Sequence, residues 1–152
     1  MMVREFTIVR PRAWSMHTEF HNNGEIVATL SGPKGFGRKA VATVGDDTLI
    51  LSTGGRRRLI SKIREPGALD DIALMEHSSP TSGKITLGNS SYELSRVHNG
   101  NWDICSMQDN QSITIVRDDR DPSHGNAIVN VEDDNALILI LLVWFALRTI
   151  EY

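Results

Sequence analysis

The sequence predicts a mainly β fold, a closed barrel of about twelve short strands enclosing one hydrophobic C-terminal helix. The first support for this is a succession of β-rich runs separated by turn residues from Met2 to Val131. The second is Ala136 to Leu147, A-L-I-L-I-L-L-V-W-F-A-L, twelve consecutive apolar residues with no polar face. A helix that is apolar all round must be buried or in lipid. A bilayer core needs roughly 17–25 such residues, so burial inside the protein is the better reading. The third is a match of lengths: a helix over about 134–150 spans roughly 24 Å, close to a strand of about seven residues.

Taken in order, Met2 to Val9 is rich in β-branched and aromatic residues and reads as strand until Pro11 interrupts it. Trp14 to His21 alternates Trp14, Met16, Thr18 and Phe20 with more polar neighbours, a half-buried strand. Asn22-Asn23-Gly24 tolerates positive φ and turns the chain into Glu25 to Leu30. The glycine-rich Ser31 to Gly37 lacks a G-K-[ST] ending, and the next residues, Arg38 to Val44, read as strand where a phosphate loop needs a helix. It is therefore a connection and no phosphate loop.

Gly45-Asp46-Asp47, Gly54-Gly55 and Pro66-Gly67 separate Thr48 to Thr53, Arg56 to Arg64 and Asp71 to Glu76. Asp71 to Glu76 is assigned to strand because six residues between breakers are too few for a stable helix. His77 to Gly83 reads as a loop, and Lys84 to Leu87, Ser91 to Val97, Trp102 to Met107, Ser112 to Arg117 and Asn126 to Val131 complete the strands. Asp133 or Asp134 suits the helix N-terminus and Arg148 its C-terminus, by the sign of the helix dipole. A weak repeat at an offset of about 45 residues relates E-I-V-A-T-L…A-V-A-T-V…L-I-L-S to D-I-A-L-M-E…G-K-I-T-L…Y-E-L-S. S-I-T-I-V-R…G-N-A-I-V-N-V reads as a third, truncated copy.

These 152 residues are one domain, 1–152, long enough for a real core. A net charge of −3 gives no reason to expect a nucleic-acid partner. The lone Cys105 excludes an intramolecular disulfide and a cysteine-rich zinc site, and reads as a buried structural thiol. The N-terminus has no apolar stretch long enough for a signal peptide, so a cytoplasmic protein is expected.

The strongest local feature is Arg56-Arg57-Arg58 with Lys62 and Arg64, joined by Lys34, Arg38 and Lys39 if adjacent strands pair as a meander. Basic residues on a strand face hold phosphate oxygens through charge-assisted hydrogen bonds. The bland alternative is a solvated face or an edge strand guarded by charge. Asp118, Asp119 and Asp121 lack EF-hand spacing and read as a solvated acidic loop. His17 and His21 share one side of a strand at about 13 Å, so no metal is assigned. No nucleophile elbow is present. With the barrel filled by its own helix, no catalytic residue and no cofactor is assigned. Trp14, Trp102 and Trp144 read as core or barrel-rim packing.

In R-P-R-A-W-S succeeded by G-E-I-V-A-T-L, D-I-A-L-M-E…S-G-K-I-T-L, N-W-D-I and the terminal L-I-L-I-L-L-V-W-F-A-L, the chain resembles the tubby-like superfamily. The resemblance is to the LURP-one-related and phospholipid-scramblase-like branch and its small bacterial relatives, and it spans nearly the whole chain. It implies a barrel of about twelve strands around a hydrophobic helix. For function it implies a non-enzymatic binding or scaffold module, peripheral to a membrane, taking anionic lipid headgroups or another phosphorylated ligand on basic surface residues. An anionic membrane surface or a protein is the expected partner. The alternative is a protein attached to a membrane or a partner through the C-terminal apolar helix as anchor.

Overall fold

A computed structural model describes residues 4–32, 38–55, 59–97, 100–108, 112–130 and 135–150. Twelve antiparallel strands close into one barrel, in which each strand pairs with its sequence neighbours and β1 (Arg4–Val9) pairs with β12 (Gly125–Asn130). Between them run β2 (His17–Asn22), β3 (Glu25–Ser31), β4 (Lys39–Val44), β5 (Asp47–Gly54), β6 (Ile60–Arg64) and β7 (Ala73–Ser79). The remainder are β8 (Ser82–Leu87), β9 (Ser90–Arg96), β10 (Trp102–Ser106) and β11 (Ser112–Arg117), and α1 covers Ala136–Ile150. Closure leaves no free sheet edge, so every strand has backbone partners on both sides.

Strand alternation sorts the side chains. Phe6, Ile8, Phe20, Leu30, Leu51, Ile63, Met75, Ile85, Ile104, Ile113 and Ile115 point inward and are buried. Their neighbours along each strand face solvent. On α1, Ala136 and Leu139 through Leu147 are all buried. The helix is the centre of the core, with β3, β5, β6 and β7 closest to it. A helix with its side chains is about 10–12 Å across, and small inward residues make room for it: Ala28, Ala40, Ala42, Ala73 and Ala127. Gly125 is the tightest of these places. A methyl group there would strike the Val116 carbonyl and sit 3.2 Å from the Trp144 ring.

At an offset of 45 residues, Ala28 and Leu30 on β3 and Ala73 and Met75 on β7 all point inward. The hairpin at Asn23-Gly24 has φ of 52° and 82°, the positive pair that a tight two-residue turn requires. The Asn135 carbonyl accepts the first helical hydrogen bond, from Leu139 N at 3.1 Å, and Asn is a favoured residue at that position. Asp133 and Asp134 lie outside the described residues. Arg148 occupies the last turn, as the dipole favours.

Four expectations are corrected. Trp14 precedes β2 and is 79% exposed, so it is not a strand or packing residue, whereas Trp102 and Trp144 are buried. Pro11 and the turn at Arg12–Ser15 hold the chain away from the sheet until His17. Cys105 faces outward, because Trp102 and Ile104 take the inward parity of β10. The predicted loop over His77 to Gly83 contracts to Pro80-Thr81, with β7 running on through an irregularity between His77 and Ser79. Finally, Leu59 stands before the strand and Ile60 begins β6; Arg56 to Arg58 lie outside the described residues.

No helix among the described residues is long and apolar enough to cross a membrane. Since α1 supplies the centre of the core, Phe145→Ala is expected to cost about 3–5 kcal/mol in urea unfolding. Ile128→Ala, on the outer face of β12, should cost less than about 1 kcal/mol. Equal losses would mean that α1 does not sit where the barrel needs it.

Candidate functional site

The antiparallel meander determines which loops meet. The connections 10–16, 80–81 and 118–124 open on one end of the barrel, where β3, β5, β9 and α1 also finish. The turns 23–24, 45–46, 65–72 and 88–89 open on the other.

Charge is divided in the same way. At the first end, in or beside the connections, stand Arg10, Arg12, Arg38, Lys39, Arg96, Arg117, Arg120 and Arg148, with Asp118, Asp119 and Asp121 as carboxylates. At the opposite end stand Glu5, Glu25, Asp46, Asp47, Glu65, Asp70 and Asp71, with Arg4 and Arg64 among them. A chain of net charge −3 thus carries one basic end and one acidic end among its described residues.

The carboxylates of the basic end are largely engaged. Asp118 Oδ1 accepts from Arg120 N at 2.8 Å. Asp121 Oδ1 accepts from Ser123 N at 3.0 Å and Ser123 Oγ at 2.5 Å, and Oδ2 lies 3.3 Å from His124 Nε2. The Ser123 hydrogen bonds, side chain first, then the His124 and Arg10 charges, hold the Asp121 carboxyl below its usual range. These carboxylates brace the 118–124 loop, and no cluster suited to a metal ion occurs among the described residues.

The expected basic residues divide into two groups on the wall. Lys39, Ser52 and Lys62 are neighbours across β4, β5 and β6, and so are Val41, Ile50 and Arg64. Lys39 and Lys62 therefore share an outer row about 10 Å apart. Lys62 and Arg64 both turn to Asp71: Arg64 donates from Nε at 2.9 Å and Nη2 approaches at 2.7 Å, while Lys62 Nζ is 4.0 Å away. They belong to this ion-pair cluster on the flank nearer the acidic end. Arg38 and Lys39 instead border a cleft of about 510 Å³ between Ser31-Gly32 and Ile50. The Arg38 carbonyl is fixed by Thr53 N at 2.9 Å. Lys34, Arg56, Arg57 and Arg58 lie outside the described residues.

Two constellations could not be read from the sequence. On the outer face of β2, Glu19 is clasped by His21 Nε2 at 3.0 Å and His17 Nε2 at 3.7 Å, and His17 Nδ1 reaches Ser31 Oγ at 3.2 Å. The other is inside the basic end. Thr53 Oγ1 meets Ser61 Oγ at 2.9 Å and Thr149 Oγ1 at 3.4 Å, and Ser61 Oγ meets His77 Nε2 at 3.0 Å. Ser61 is fully buried and Thr53 nearly so. A Ser–His pair is the first half of an activated nucleophile, but this serine is shut from solvent and its hydroxyl is shared with Thr53. The network instead ties the end of α1 to β5, β6 and β7. Strand alternation alone puts Thr53 and Ser61 on the inward parity; the arrival of Thr149 and His77 beside them has no local signal.

On β10, partial burial first, then the Asp103 and Glu93 carboxylates, push the exposed Cys105 thiol up from its ordinary value, which lowers its reactivity.

Burial holds the half-buried His77 below its ordinary value. The unfolded chain therefore binds more protons than the folded one below about pH 6.5. Its contribution to stability is complete above that pH and is lost as pH falls through the folded value. Urea midpoints measured from pH 5 to 8 should show this slope in the wild type and a smaller one in His77→Gln, whose amide can still reach Ser61. Parallel profiles would contradict it.

No protein-family model, curated protein or solved structure matches this chain.

Proposed function

We propose that this protein is a non-enzymatic binding module that takes an anionic ligand, a lipid headgroup or another phosphorylated group, on the basic end of its barrel. The observation that carries the reading is the segregation of charge between the two ends. Potentials from clustered like charges steer an oppositely charged partner and orient it on approach. Arg38 and Lys39, beside the cleft at Ser31-Gly32, are the members of the basic set best placed to meet it, since Lys62 and Arg64 already face Asp71. The interior holds α1, so the ligand surface is the outside of the barrel.

The same architecture supports reading the chain as a member of the tubby-like superfamily, whose resemblance implies a barrel around a hydrophobic helix. A cytoplasmic protein peripheral to a membrane is consistent with that reading. Anchoring through α1 would require withdrawing its buried residues from the core, at about 1.5–3 kcal/mol for each large side chain. The burial of α1 thus favours the basic end as the point of attachment.

Co-sedimentation with neutral and anionic vesicles tests this. Binding is expected to anionic vesicles and to weaken as salt rises. Each of Arg38→Glu and Lys39→Glu should weaken it by about fivefold or more, as expected for a basic residue at an anionic surface. Competition by a soluble inositol polyphosphate would assign the site to the phosphate chemistry itself. Equal binding to neutral and anionic vesicles would overturn the electrostatic reading.

A further inference from the structure

From the loop that joins β1 to β2 we infer that Trp14 is an interfacial anchor, inserted at headgroup depth when the basic end meets an anionic bilayer. This rests on the reading of the basic end as the ligand surface and names the lipid surface as its partner.

Trp14 is the only exposed tryptophan of three: it is 79% exposed, against 6% for Trp102 and 1% for Trp144. Burying so large an aromatic side chain gains several times what burying a methyl gains. The loop does not leave Trp14 outside by being slack. Arg10 Nε donates to the Ser15 carbonyl at 2.7 Å, and its Nη2 donates to the Ala13 carbonyl. Ser15 N closes a turn on the Arg12 carbonyl at 3.1 Å, and Ser15 Oγ accepts from His17 N at 3.2 Å. Gly32 N holds the base of the loop through the Met16 carbonyl at 3.0 Å. The backbone is braced with the indole directed outward.

Its surroundings suit a lipid interface. The Arg12 guanidinium lies 5.4 Å from the centre of the indole ring, so an aromatic surface and a phosphate-binding cation are presented together. Tryptophan is enriched at the headgroup level, where one part of the ring is dry and another can donate a hydrogen bond. A protein partner would require an apolar surround that keeps water from the contact. Trp14 stands instead beside Pro11, Arg10 and Arg12, and a bilayer supplies that surround itself. Leu69, 94% exposed at the other end, lies among Glu65, Asp70 and Asp71, which an anionic surface repels. The charge axis therefore selects Trp14, and not Leu69, for contact. Two carboxylates on this side of the barrel are engaged by neighbours, Glu19 by His21 at 3.0 Å and Asp121 by Ser123 N at 3.0 Å and Ser123 Oγ at 2.5 Å.

The intrinsic fluorescence of the full-length protein reports the contact, because Trp102 and Trp144 are already buried and their emission should not move. Titration with vesicles containing phosphatidylserine is expected to shift emission to the blue and to protect it from iodide, and brominated acyl chains should quench it. Trp14→Ala should abolish all three signals and weaken vesicle binding by about tenfold. The residual emission of the two buried tryptophans shows that the variant is folded. Arg12→Gln should weaken binding by about fivefold. Vesicle binding with no change at Trp14 would overturn the anchor while leaving the basic end as the ligand surface. Binding of inositol hexakisphosphate without vesicle binding would also overturn the anchor, in favour of a soluble ligand. Binding of neither would remove both readings.

Discussion

The structure depends on the solvation of one helix. Leu139 through Leu147 cannot face water on any side, and a surface helix would expose half of them. Only an enclosure satisfies such a segment outside a bilayer, and a closed sheet is an enclosure whose own backbone polar groups are all paired within the wall. The requirement runs both ways, since a barrel of twelve strands has an interior that must be filled for its inward Ile, Leu and Phe side chains to be dry. Helix and barrel are two halves of one core. Ala28, Ala42 and Ala73 are small residues on the inward parity, and at Gly125 the Trp144 ring of the helix passes 3.2 Å from where a side chain would begin.

The antiparallel meander then has an electrostatic consequence. Every second connection opens on the same end, so charges alternating from turn to turn along the chain accumulate at opposite poles. Asn23-Gly24, Gly45-Asp46 and the segment around Glu65 to Asp71 gather carboxylates at one pole. The longer connections carrying Arg10, Arg12, Arg38 and Arg120 gather cations at the other. Basicity among the described residues is therefore a property of a pole and not of β6 alone. Within β6, Lys62 and Arg64 are drawn to Asp71, which the 65–72 connection brings alongside them.

The same pole is where α1 ends and where the only buried hydroxyl–imidazole network of the described residues lies. Its partners come from β5, β6, β7 and the last turn of the helix, so it forms only once the helix is seated. A polar network with every member satisfied fixes a unique arrangement where apolar contacts alone would tolerate sliding. The end that presents Trp14 and the arginines is in this way braced from inside, while the loop around Trp14 is braced by its own Arg10.

Much of the fold is legible in the sequence because its signals are local. Asn23-Gly24 dictates a tight turn wherever it stands between strands, alternation in S-I-T-I-V-R places Ile113 and Ile115 on one face, and the run from Ala136 to Leu147 demands burial. Trp14 and Cys105 escape such reading for a related reason: alternation fixes which residues share a face, but only pairing decides where a strand begins and which face turns inward. Strand periodicity, turn chemistry and the apolar helix by themselves determined a barrel around a core helix. Closure through β1 and β12, the pole on which each charge lies, the capture of Lys62 and Arg64 by Asp71, and the meeting of Ser61, His77 and Thr149 were decided by the tertiary structure. These depend on residues far apart in the chain, whose proximity is set by register and closure and is written in no single segment.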